Sequence, residues 1–217
     1  MKLSIIIPAH NEQKHLSVVI RKTKKYSKNI VVVDDGSKDN TCGVAKKEGV
    51  TVLKHIVNLG KGAALKTGAD YAVAHGADIL LFMDSDGQHD PAEIPNFLNN
   101  LKGVDIVFGS RKRVGQMPFV FRFGNWFISF VNKLLFGIDI HDTQSGFRAL
   151  TSEAYGRIRW KSTGYSVESE MIALAGKHKL KCREIFIKTI YSDKYKGTTV
   201  FDGIKIVLNM IWWRLAK

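Results

Sequence analysis

Cysteine is scarce in this chain: Cys42 and Cys182 are the two in 217 residues. They lie far apart with no metal-ligand spacing around them, which excludes a disulfide framework or a zinc knot and points to reduced thiols in a cytosolic protein. Proline occurs four times, and there is no Pro/Ser linker, low-complexity tract or internal repeat, so tethered modules are excluded as well. Long apolar runs are missing: no segment reaches the roughly 18–20 uninterrupted apolar residues that a membrane-spanning helix needs. The amino terminus leads into a strand pattern without signal-peptide features. Acidic residues are thin in the second half, where residues 109–217 carry 8 Asp/Glu against 19 Lys/Arg, a net of +11. Residues 1–108 carry 12 against 14, a net of +2. A near-neutral first half and a basic second half imply an anionic partner for the latter. Nucleic acid, anionic lipid and a phosphorylated substrate all qualify on charge.

What is present suits one well-filled domain with a small appendage. Apolar content of 45% and charged content of 24% are ordinary for a soluble globular protein. Buried-strand patterns at Leu3–Ile7, Asn29–Val33, Thr51–Leu53, Ile79–Met83 and Val104–Gly109 alternate with helical ones. Asn11 is placed to cap the first helix; the second runs from Asp39 to Glu48 and is closed by Gly49. A third opens at Asn58–Gly62 and reaches about His75, and Pro91 suits the first turn of a fourth. Such alternation predicts an α/β protein with a mostly parallel sheet and helices on both faces.

The stretch Ile79–Asp90 organises the rest. Its apolar run ends in Asp84-Ser85-Asp86-Gly87-Gln88-His89, at the edge where open α/β sheets bind ligands. Asp84 and Asp86 alternate on an extended backbone, so both can point one way. Two hard oxygen donors suit Mg²⁺ or Mn²⁺ shared with a substrate diphosphate. Three further loops should meet them: Pro8–Glu12, Asp34–Asp39 and Asn58–Gly62. Asp34 and Asp35 suit hydrogen bonds to a nucleoside. Gly60-Lys61-Gly62 could bring backbone N–H groups against a phosphate, but it lacks the pattern of a P-loop, and a plain helix start is the preferred reading.

Beyond Gly109 the pattern changes. Pro118–Phe136 reads as a helix whose polar residues Arg122, Asn125, Ser129, Asn132 and Lys133 form one narrow stripe, so it should be buried in protein, in a subunit contact or in lipid. Residues 200–217 form a second amphipathic segment, with Trp212 and Trp213 beside Lys205 and Arg214. Both could lie in a membrane interface.

The ordered set Ile5-Ile6-Ile7-Pro8-Ala9-His10-Asn11-Glu12, Val33–Asp39, Asn58–Gly62 and Asp84–Gln88 resembles the family 2 inverting glycosyltransferases. The closer likeness is to their dolichol-phosphate mannose synthase-like branch, and it covers about residues 1–195. The resemblance implies a metal-dependent, Rossmann-like GT-A domain over 1–199, with a nucleotide-binding half (1–108) and an acceptor-binding half (109–199). It implies that a nucleotide-sugar is the donor and a polyprenyl phosphate the acceptor, with the enzyme peripheral at the cytoplasmic face of a membrane and a second copy of the chain as a candidate partner. By the same likeness Pro8, Ala9, Glu12, Asp34 and Asp35 would hold the nucleoside, with Lys61 and Ser85 also lining the donor site. Asp84, Asp86 and Gln88 would hold the metal.

Asp142–Arg148 resembles the acceptor-side segment and Gly109-Ser110-Arg111 the arginine before it. Arg111, Arg148 and Arg122 are therefore expected to place the acceptor phosphate, with Ser145 donating a hydrogen bond. Asp142 is the general base should the acceptor be a hydroxyl, and Lys194 or Lys196 would cover the diphosphate. Glu168 and Glu170 lie near the expected crevice, though the dipole at a helix start explains them as well. Two rival readings are a transferase acting on a soluble or protein-bound hydroxyl, and a nucleic-acid-binding module. The acidic pocket and the lack of any nucleic-acid motif weigh against the second.

Overall fold

The computed structural model describes residues 1–111, 119–188, 190 and 200–215. In chain order these form β1 (Leu3–Ala9), α1 (Leu16–Thr23), β2 (Ile30–Asp35), α2 (Thr41–Lys47), β3 (Thr51–His55), α3 (Lys61–Ala74) and β4 (Ile79–Phe82). A single 3₁₀ turn, Pro91–Glu93, leads into α4 (Ile94–Asn100). There follow β5 (Ile106–Arg111), α5 (Phe119–Phe136), β6 (Arg148–Thr151), α6 (Ser152–Arg157), α7 (Val167–Lys177), β7 (Cys182–Ile187) and α8 (Val200–Leu215).

The strands make one sheet in the order β3-β2-β1-β4-β6-β5-β7. All pairings are parallel except those of β6, which runs against both β4 and β5. The mostly parallel sheet expected from the alternation is therefore present, with one reversed strand inside it. Because β6 is reversed, its first residue, Arg148, lies opposite Phe82 at the end of β4. The segment just before β6 is thereby delivered to the edge where the parallel strands finish.

Alternation along the strands fills two layers. Ile5, Ile7, Val32 and Leu81 pack with Leu16 and Ile20 of α1 and Phe97 of α4. Ile6, Leu80, Phe82 and Phe108 pack with Leu65 and Ala69 of α3, Ile172 of α7 and the fully buried Trp160. Neither β6 nor β7 carries the apolar signature of the first five strands. β6 is four residues long and starts on a buried arginine, while β7 places Arg183 and Glu184 in an edge strand of alternating exposure.

One expectation is corrected. Asn11 does not cap α1, which starts at Leu16. It adopts a left-handed conformation (φ 56°), which asparagine tolerates, and its Oδ1 accepts from the Lys38 N–H at 2.8 Å. That side chain laces the β1–α1 loop to the β2–α2 loop. Within the chain, the helix α5 is covered along one side. Ile128 packs with Ile206 and Met210 of α8, whereas Trp126, Phe130 and Leu134 are 50–72% exposed. Asn132, placed on the polar stripe by the sequence, is buried. Among the described residues no helix is long and apolar enough to cross a membrane.

The seam between α3 and the sheet leaves no room at Gly68, where a Cβ would lie 2.5 Å from Ile6 Cγ2 and 3.0 Å from Val33 Cγ2. Gly68→Val is expected to cost about 1–3 kcal/mol by overpacking. It should lower the urea midpoint with the slope of the transition unchanged.

Candidate active site

The ends of β1 and β2 build one wall. Ala9 and Asp34 are buried there and Pro8 is in register with Val33. The two following loops are sewn together: Ser37 Oγ accepts from the Asn11 N–H, Thr41 Oγ1 from the Glu12 N–H, and Asp39 from the Gln13 N–H. Asp34 Oδ1 accepts from the Ser37 N–H at 3.1 Å. Its Oδ2 is buried without a hydrogen-bond partner, an acceptor left open to the N–H or O–H of a ligand.

Asp35 does something else. Its carboxylate accepts from the Leu59 N–H (2.9 Å), the Gly60 N–H (2.8 Å) and His55 Nδ1 (2.7 Å). It is a clamp on the loop before α3, so those two N–H groups are not free to cradle a phosphate. The glycines answer a packing need instead. A Cβ at Gly60 would lie 2.5 Å from the Thr163 carbonyl oxygen, and one at Gly62 would collide with that of Ser162. The Thr163 carbonyl accepts from the Ala63 N–H, the Gly62 carbonyl from Trp160 Nε1, and Glu170 holds the Lys161 and Ser162 N–H groups.

This clamped loop delivers Lys61 to the metal-like end of the site. The Lys61 ammonium lies 2.7 Å from Asp84 Oδ1 and 2.8 Å from Glu168 Oε1. Burial works against its charge, yet the two carboxylates keep Lys61 protonated far above the ordinary lysine range. Burial likewise opposes the charge on Asp84, but Lys61 outweighs it and holds the carboxyl at about 2. Asp86 moves the other way, raised by burial and by the charge on Asp84. Its Oδ1 accepts from the Gln88 N–H at 2.9 Å. His89, stacked on Phe147, accepts the Asp84 N–H on Nδ1. Burial pushes its pKa down, and the neutral ring buttresses the turn.

Among the described residues no group of three or more His, Cys, Asp and Glu gathers into a metal-binding cluster. The two aspartates still fit a small divalent ion, which takes one or two protein carboxylates and fills its shell from phosphate and water. The like-charge tension between Asp84 and Asp86 is the kind a cation relieves. Ser85 is buried in the same turn.

On the side expected to hold the acceptor, Arg111 and Asp142 form a bidentate pair at 2.7 and 2.9 Å. Asp142 is nearly buried; burial opposes its charge, but Arg111 keeps it below the usual carboxylate range. Arg148 is 2% exposed and donates to the backbone carbonyls of Ser145, Glu168 and Thr143. It therefore braces the 143–145 loop against α7 rather than facing an acceptor phosphate. Ser145 Oγ is buried and has no partner. Arg122 lies on α5 with its side chain outside the described residues, as do Lys194 and Lys196 altogether. Sequence reasoning left Glu168 undecided. Its signal is there in retrospect, a carboxylate in the first turn of a helix packed on the glycine loop, but the contact with Lys61 bridges residues 107 apart in the chain.

The fold and this edge define a GT-A, Rossmann-like glycosyltransferase. The family model for Glycosyl transferase family 2 matches residues 4–159, and the chain belongs to that family. It is 41% identical to an uncharacterized protein of Methanocaldococcus jannaschii, over 99% of this chain and 93% of that one. It is 34% identical to the UDP-N-acetylglucosamine–dolichyl-phosphate N-acetylglucosaminyltransferase of Methanococcus voltae, over 98% and 96%. It also superposes on glucosyl-3-phosphoglycerate synthase of Mycobacterium tuberculosis in complex with Mn²⁺, UDP-glucose and phosphoglyceric acid. That match has TM-score 0.73 and 20% identity, and covers 96% of this chain and 79% of the other.

This structural likeness corrects the expectation of a polyprenyl phosphate acceptor and of a membrane surface as partner. The same fold is found in that synthase in complex with phosphoglyceric acid, so the fold does not by itself call for a lipid acceptor.

Two tests follow from the geometry. A Cβ at Gly146 would lie 2.8 Å from Lys61 Nζ and 2.9–3.0 Å from the Asp84 oxygens, side-chain ends that can shift. Gly146→Ala should leave the melting temperature nearly unchanged yet weaken Mn²⁺ binding in the presence of UDP by about 10–100-fold, read by calorimetry. The second concerns pH. Asp84 has a folded pKa of about 2, depressed from the unfolded value of about 4. Its contribution is full above pH ~4 and is lost as pH falls through ~2. Over that window the wild type should lose thermal stability more steeply than Asp84→Asn.

Proposed function

We propose that this protein transfers a sugar from a UDP-sugar, with a divalent ion at Asp84 and Asp86, to a hydroxyl group of a soluble, phosphate-bearing small molecule. The observation that carries the reading is the carboxylate pair at the tip of β4, on the same sheet edge as the open oxygen of Asp34. Residues 1–108 then serve the nucleotide and 109–199 the acceptor. Pro8, Ala9 and Glu12 flank the nucleoside, and Asp34 Oδ2 accepts a hydrogen bond from it. Gln88 completes the protein's share of the metal site, with Ser85 beside it. Bound there, a divalent ion supplies Lewis-acid neutralisation of the charge that develops on the departing diphosphate.

A hydroxyl acceptor needs a base. Asp142, bound on both oxygens by Arg111, is held as a poor one. Glu168 is better placed, since Oε1 is anchored by Lys61 and Oε2 has no hydrogen-bond partner. Attack from the face opposite the diphosphate inverts the anomeric centre. Arg111 and Arg148 fix the acceptor-side loop, Ser145 Oγ is left to donate to the acceptor, Arg122 supplies positive charge for its phosphate, and Lys194 or Lys196 covers the donor diphosphate.

The test is release of UDP from UDP-sugars in the presence of Mn²⁺ and phosphorylated small acceptors. Asp86→Ala should lower transfer by about a hundredfold or more, and Glu168→Gln should lower kcat with little change in KM for the donor. The labelled product should stay in the aqueous phase. Transfer that persists in excess EDTA, or a product that partitions into organic solvent with added prenyl phosphate, would overturn this reading.

A further inference from the structure

Lys61 is not a lysine waiting at a loop tip for a phosphate. Its ammonium already touches Asp84, the first candidate ligand of the metal, and Glu168, which comes from the far side of the chain. Three features make this contact more than a static ion pair. An ammonium and a divalent ion repel one another, so they compete for the same carboxylate oxygen. Glu168 gives the ammonium a second partner, and its Oε2 has acceptor capacity unused. The bare Cα of Gly146 roofs the contact, where a Cβ would meet both Lys61 Nζ and the Asp84 oxygens. On that side, space is kept clear of side chains.

We propose that Lys61 is a resident counter-ion, which holds Asp84 in the donor-free enzyme and cedes it, keeping Glu168, when a divalent ion arrives with the nucleotide diphosphate. The inference rests on the metal–nucleotide reading above. A metal ion alone adds two positive charges beside an ammonium, whereas the diphosphate brings the negative charge that offsets both. Binding is thus coupled: the ion binds weakly by itself and tightly with the nucleotide. Until then Asp84 is neither unpaired at the rim of the core nor free to gather a stray cation.

The experiment measures free Mn²⁺ by electron paramagnetic resonance at fixed pH, first without nucleotide and then with UDP. Without nucleotide, Lys61→Met should bind Mn²⁺ about tenfold or more tightly than the wild type, and the gain that UDP confers should shrink. Lys61→Arg should keep the weak binding of the wild type. Lys61→Met strands Glu168, so the double variant Lys61→Met/Glu168→Gln removes both charges and carries the same expectation should the single variant not fold. Adding Asp84→Asn to either should abolish the gain. If the wild type binds Mn²⁺ with UDP but neither Lys61 variant binds the bare ion more tightly, the counter-ion role is overturned while the metal site stands. If the wild type binds no Mn²⁺ even with UDP, the metal–nucleotide reading fails and this inference with it.

Discussion

Between Asp84 and Glu168 stands one ammonium group, and much of the geometry of the sheet edge exists to put it there. The clamp by Asp35 fixes the start of α3, the bare glycines let that loop lie against residues 162–163, and Glu170 holds the partner loop by its N–H groups. The Asp35 and Glu170 carboxylates each accept two backbone N–H groups, and hydrogen bonds to a charged group are among the stronger ones. The ion pairs at the end of this chain are therefore consequences of how the loops are hydrogen-bonded. Asp84 has a cationic partner before any ligand enters, and this carboxylate stays ionised because that fixed partner faces it.

The frame was legible in the sequence where side-chain period and burial coincide. Ile5–Ile7, Val31–Val33 and Leu80–Phe82 are buried on both faces and read as continuous apolar runs, as central parallel strands do. The reversed strand β6 was not, since four residues beginning with Arg148 give no such run. Asp84 and Asp86 were legible because the strand before them, β4, announces them. Asp34 and Asp35, adjacent in sequence, looked alike, and only the fold separates them. One keeps a buried oxygen without a hydrogen-bond partner and the other turns back to hold a loop. Arg148 shows the same limit: its charge suggested a phosphate ligand, but its position inside the sheet turns it toward three carbonyls.

The acceptor is where inference from motif and inference from fold diverged. Basic charge in the second half calls for an anion and says nothing about whether a prenyl chain is attached to it. The aromatic and aliphatic faces that α5 and α8 leave exposed lie on a layer built around Ile128, Ile206 and Met210, separate from the two layers that flank the sheet. In the proposed reading, recognition of the donor depends on the sheet edge itself, through groups that strands and clamped loops hold in place.

The antiparallel setting of β6 divides labour within the enzyme. Both ends of the excursion from β5 to β6 are anchored in neighbouring strands, Ile106–Phe108 against Arg148–Leu150, so the intervening chain can lengthen, shorten or change its chemistry without disturbing the register of β1, β2 and β4. A scaffold wired this way can vary one excursion while the sheet edge that carries Asp34 and the carboxylates after β4 is inherited intact.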